Sequence, residues 1–155
     1  MRNLILAIFV FVSTAISAQD IYPVIGLDYH IKNEISTTGF KAGFTDAKYA
    51  GGYAFYKRAT YQLESAGLFN VDYKQNTYGI GMFIHIKKFI LNVGGGVAVS
   101  QTQTETIYSK KEYDNWSDSM FELGLNYNIS DNFAVGCAYT NTTDGFHLSL
   151  IHTIK

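Results

Sequence analysis

The side chains of this chain that could do chemistry fall on one phase of a two-residue alternation: Asp28, His30, Glu64, His85, Glu122, Asn126 and His147, with Gln62 and Asn92 as neutral companions. Histidines together with carboxylates are the donor types of a metal centre, or of a general acid and base. No two of them stand at a ligand-like spacing along one element, so no metal, cofactor or catalytic residue is assigned to them. If the alternation is that of strands, the shared phase is an inner surface. Charges held there must be paired, and the expectation is a buried polar network that satisfies itself. Glu64 and His85 are expected to form a cross-strand pair within it.

The elements that must position these residues are clearest from Met120 to Lys155. Phe121, Leu123, Leu125, Tyr127 and Ile129 alternate with Glu122, Gly124, Asn126 and Asn128; Phe133, Val135, Cys137 and Tyr139 alternate with Ala134, Gly136, Ala138 and Thr140; and Phe146, Leu148 and Leu150 flank His147 and Ser149. This is strand periodicity, and no stripe at helical spacing occurs past residue 20. The same reading predicts strands over 22–32, 48–56, 60–71, 78–86 and 89–101. Lys57-Arg58-Ala59 and Lys87-Lys88 read as turns, and residues 33–47, 72–77 and 102–119 as connections, although Phe40 to Phe44 could extend a strand. On strand 48–56 the phase places Tyr49, Gly51, Tyr53 and Phe55 on the apolar face. The strand count is eight, with short connections after the second, fourth and sixth strands and long ones after the first, third and fifth.

Composition narrows the setting. Met1-Arg2-Asn3, an apolar run from Leu4 to Val12 and the small residues ending at Ala18 predict a secretory signal peptide over 1–18 and a single domain over 19–155. Only 16% of residues are charged, and 12 basic residues face 13 acidic ones, which argues against nucleic acid as a partner. The single cysteine, Cys137, excludes an internal disulfide.

The two faces decide between a soluble and a membrane barrel. A soluble barrel would turn Lys and Glu outward, whereas here the second face is Gly, Ala, Ser and Asn with a few charges, which suits a narrow lumen. Tyr29, Tyr49, Tyr78, Tyr127 and Tyr139 on the apolar face suit interfacial girdles. The predicted fold class is therefore all-β, an eight-stranded antiparallel up-and-down transmembrane barrel. A soluble periplasmic binding barrel of the lipocalin kind is the alternative.

Over its mature length the chain resembles the small eight-stranded outer-membrane barrels of the OmpA/OmpX type. Thr143-x-Gly145-x-x-Leu148-x-Leu150 is similar to the β-signal that the barrel-assembly machinery recognises, although the chain continues through Ile151 to Lys155. His147-Leu148-Ser149 resembles the His-x-Ser of outer-membrane lipid A deacylases, but no acidic residue follows. The resemblance implies an outer-membrane, non-enzymatic monomer with a structural, adhesive or surface-interaction role. Its expected partners are outer-membrane lipid and lipopolysaccharide, the barrel-assembly machinery during insertion, and an extracellular ligand at the loops. A lipid-modifying enzyme is the alternative activity. For the ligand, the stretch from Thr104 to Asp118 offers Tyr108, Lys110, Lys111, Tyr113 and Trp116 as recognition residues. No wide pore is expected, because eight strands enclose a space that side chains fill.

Overall fold

The structure, a computed structural model, describes the backbone of residues 21–32, 35–46, 48–65, 69–106, 109–142 and 145–155; side chains at 31–32, 35, 62–65, 69–70, 105–106 and 109–113 are outside the description. The expected signal peptide lies outside the described residues. Eight antiparallel strands close into a barrel in sequence order, with β1 pairing back to β8. They are β1 (Tyr22–Lys32), β2 (Ile35–Thr45), β3 (Ala50–Ser65), β4 (Phe69–Ile86), β5 (Phe89–Thr106), β6 (Ser109–Asn128), β7 (Phe133–Thr140) and β8 (Gly145–Thr153).

The count agrees with the sequence reading, but the segmentation does not. Residues 35–45 form a full strand where a connection was expected, and the expected strand 48–56 and the first half of the expected strand 60–71 are one strand, β3, while Phe69 to Val71 open β4. Lys57-Arg58-Ala59 is no turn: Lys57 and Ala59 point inward and Arg58 outward, so charge simply alternates with the pleat. Residues 72–77 lie inside β4, and most of 102–119 forms the outer halves of β5 and β6. The asymmetry between the two ends is therefore one of strand length. β3 to β6 run for 16 to 20 residues, against 8 to 11 for the others, so a four-stranded sheet projects beyond the rest of the barrel.

Connections at the other end are tied down locally. Asp46 Oδ1 accepts the backbone N–H groups of Lys48, Tyr49 and Ala50 at 2.9, 2.7 and 3.0 Å. Partial burial works against its charge, but these three donors prevail and hold the carboxyl below its ordinary range. Lys87-Lys88 joins β4 to β5 with Lys87 at φ 58°, a left-handed conformation that costs an L-residue roughly 1–2 kcal/mol. Lys87→Gly removes that strain at a smaller entropic cost of about 0.5–1 kcal/mol. The expected net gain is about 0.5–1 kcal/mol, read as a rise in the urea midpoint of the refolded barrel.

The outer face is apolar over a bounded height. On β4 it carries Ile86, Ile84, Met82, Ile80 and Tyr78, on β5 Phe89, Val93, Val97 and Val99, and on β6 Tyr127, Leu125, Leu123 and Phe121, most of them well exposed. Further along the same faces stand Asn76 and Lys74, Gln101, and Ser119, Ser117 and Asn115. The apolar stretch matches the 9–11 residues a tilted strand needs to cross the hydrocarbon core, and an exposed apolar surface this extensive has no place in water. The protein is a transmembrane barrel. Tyr29, Tyr78 and Tyr127 lie on its exposed face as expected; Tyr49 is exposed but stands in the turn before β3, and Tyr53 and Phe55 are not on the outer face. Both are buried in the lumen, because β3 turns its odd-numbered residues inward along its length.

Candidate functional site

The centre of the barrel is sealed by four charges from four strands. Asp28 on β1, Lys41 on β2, Lys57 on β3 and Glu122 on β6 have side chains no more than 2% exposed. Lys41 Nζ lies 3.0 Å from Asp28 Oδ2 and 2.7 Å from Glu122 Oε1, and Lys57 Nζ lies 3.0 Å from Asp28 Oδ2 and also bonds Glu122 Oε2. Each cation thus touches both anions, and the group is neutral. The Tyr53 hydroxyl donates to Glu122 Oε1 at 2.9 Å, and the Lys41 ammonium lies 5.5 Å from the Tyr53 ring centroid.

Beside the charges, aromatic rings fill the lumen. Tyr53 stacks on Phe83 at 4.5 Å and packs against Phe55 at 5.9 Å. The adjacent strand β4 must be flat beside them to admit the rings. A Cβ at Gly81 would come within 2.3 Å of the Tyr53 ring, and one at Gly79 within 2.3 Å of the Phe55 ring, so glycine is required there.

Other polar side chains form separate groups and not one network. His147 Nε2 and Thr140 Oγ1 are 2.7 Å apart, with the His30 ring 5.0 Å from that of His147. His85 Nε2 lies 2.7 Å from Thr45 Oγ1, close to the Asp46 turn. Asn92 and Asn126 are fully buried, and among the described residues their amides meet no hydrogen-bond partner.

Above the lumen, the inner face of the projecting sheet is open. Gln75 Nε2 donates to the Tyr73 hydroxyl at 2.9 Å and to Ser100 Oγ at 3.0 Å, and these form its floor. Trp116, 43% exposed, lies with its ring 6.1 Å from that of Tyr73, and Asp114 and Asp118 flank it on the same face of β6. β7 pairs with β6 only over Glu122 to Asn128. Beyond that, Asn141 caps the seam: its Oδ1 accepts the Phe121 N–H at 2.8 Å and its Nδ2 donates to the Ser119 carbonyl at 3.1 Å. Past the cap, no strand among the described residues pairs with that edge of β6.

Neither a protein family model nor a curated protein matches the chain. Among solved structures it is similar to Ail, the attachment invasion locus protein of Yersinia pestis, in complex with the heparin analogue sucrose octasulfate, with a TM-score of 0.69 at 14% identity over 87% of this chain and 97% of that one. A second crystal structure of Ail gives a TM-score of 0.65 at 14% identity over 86% and 94%. The backbone structure of Ail in a phospholipid bilayer nanodisc gives 0.55 at 12% identity over 86% and 99%.

The chain has the fold of the small eight-stranded outer-membrane barrels. Within this small barrel, sequence reasoning placed Asp28, Glu122, Asn126, His147 and Asn92 inside, where the structure has them. The Glu64–His85 pair is a correction. Glu64 stands opposite Asn70 near the β3–β4 hairpin, whereas His85 stands opposite Ile90 at the far end of the barrel, because no loop interrupts β4 near residue 74. The missed residues are Lys41 and Lys57. The signal for them was a charge imbalance: buried carboxylates without buried cations cannot stand, so two lysines had to leave their supposed loop and turn. Of the recognition residues, Tyr108 and the side chains of Lys110, Lys111 and Tyr113 lie outside the description, and Trp116 stands on a strand and not on a loop. His147 and Ser149 are buried inside, and the lipid-facing residues between and beside them are Leu148 and Leu150.

Proposed function

We propose that this is an outer-membrane surface protein without a wide pore, and that it acts by adding a partner's extended segment to the projecting sheet. The carrying observation is the unpaired edge of β6. Phe121 turns its N–H and C=O toward Asn141, so by alternation Ser119, Ser117 and Asn115 turn theirs to the same side. From Ser109 to Asp118 this edge runs for roughly 30 Å at about 3.3 Å per residue. A row of donors and acceptors of this kind is a template for strand addition. The attachment named for Ail supports an adhesive role by fold analogy. Short turns at the end bearing the chain's last residues would be periplasmic, which turns the long sheet outward.

Ser117→Pro tests the reading. It deletes only an edge-facing donor and leaves the β5 ladder intact, so the barrel should fold as before. Cells displaying the wild-type barrel should adhere to a protein-coated surface better than cells displaying the variant; equal adherence by the two would sink the proposal.

The pore statement has its own expected result. With Lys41, Lys57, Asp28, Glu122, Tyr53, Phe55 and Phe83 packed across the lumen, the pure protein in planar bilayers should show no stable, large conductance steps. A steady porin-like current would contradict the seal.

A further inference from the structure

We infer that the segment accepted by the β6 edge is a basic one, patterned as a cation, any residue, an apolar residue, any residue and a second cation. The inference rests on strand addition at that edge and names the partner's chemistry. Asp114, Trp116 and Asp118 share the inner-facing phase of β6 and are all exposed. Their cross-strand partners on β5 are Thr102, Ser100 and Ala98, which carry no charge. Among the described residues, neither aspartate takes part in an ion pair, although the four charges deeper in the lumen are fully compensated. Trp116 has Tyr73 beside it at 6.1 Å, across β5 from the unpaired edge, and is 43% exposed. What these three residues lack is a neighbour on the side where no strand lies.

An antiparallel strand added there would place its own inner-facing residues directly opposite them, with Cβ atoms about 4.5–5.5 Å apart. Opposite-charge pairs are the favoured cross-strand partners of Asp114 and Asp118. An aliphatic or aromatic side chain would cover the Trp116 face, and the neighbouring cations could also approach it. On the outer side, Asn115, Ser117 and Ser119 are small and neutral, so the intervening residues of the segment are unselected. The β3 edge offers no such pattern: its unpaired stretch beyond Thr60 is only Tyr61 to Ser65.

The probe is a fluorescein-labelled synthetic peptide of alternating threonine with lysine, valine and lysine at the inner positions, titrated by anisotropy against the full barrel in detergent micelles. It should bind, with affinity that falls as salt rises. Its glutamine-for-lysine version, and the original peptide on Asp114→Asn/Asp118→Asn, should each bind about tenfold more weakly, two cross-strand charge pairs together being worth about that factor. Equal binding of the lysine and glutamine peptides would overturn the charge inference while leaving strand addition standing. A lysine peptide N-methylated at its edge-facing amides should not bind. If it binds as well as the parent, the charges act without a ladder and strand addition itself falls. No binding of any peptide overturns both.

Discussion

Lys41→Met is expected to destabilise the folded barrel by about 3–5 kcal/mol, the cost of leaving a buried charge cluster without one of its partners. In the native lumen each lysine touches both carboxylates, so the four charges cancel within a space that excludes bulk water. Removing one ammonium leaves two anions to share Lys57. Asp28 and Glu122 then repel at close range in a low-dielectric interior, where the Coulomb term is far larger than in water. The double variant Lys41→Met/Glu122→Gln restores neutrality with the Asp28–Lys57 pair intact. It should recover most of the loss, although the Tyr53 hydroxyl then bonds a neutral amide in place of a carboxylate. The measurement is the folded fraction against urea, read from the gel mobility of unboiled samples. A single variant as stable as the wild type, or a double variant no better than the single, would show that the four charges are not coupled.

Leu123→Arg is expected to cost about 2–4 kcal/mol, the depth-dependent price of a basic side chain on the lipid face near the midplane. Leu123 is 51% exposed, beside Val93 on β5 and Tyr139 on β7, within the apolar band. Asn115→Arg, on the same strand and the same face but opposite the polar Gln101, lies beyond the band and should change stability by no more than about 0.5 kcal/mol. The contrast between the two positions on one strand measures where the hydrocarbon ends. If both cost the same in lipid vesicles, the band between Tyr127 and Phe121 is not the membrane-spanning zone.

Much of this architecture was legible in the residues alone. Period-two alternation with large apolar residues on one face and small ones on the other determines strands, and its inverted polarity determines a barrel with lipid outside. From Met120 onward even the phase of each residue was readable, because Glu122, Asn126 and His147 interrupt unbroken apolar series. What the chain could not reveal by itself is where a strand stops. In β4 to β6 the outer face turns polar once it leaves the bilayer, so Asp72 to Thr77 and the stretch after Thr102 look like loops while the backbone continues paired, and in β3 the inward Lys57 beside the outward Arg58 reads as a basic turn. Tyr53 and Phe55 were assigned to lipid because large apolar side chains mark the lipid face on the other strands, whereas on β3 the odd-numbered phase that carries Lys57 into the lumen takes both rings with it. Only closure of the barrel brings Asp28, Lys41, Lys57 and Glu122, on β1, β2, β3 and β6, to one point. Local alternation says which face a residue takes, but the height at which distant strands meet is set by the register of every hairpin between them.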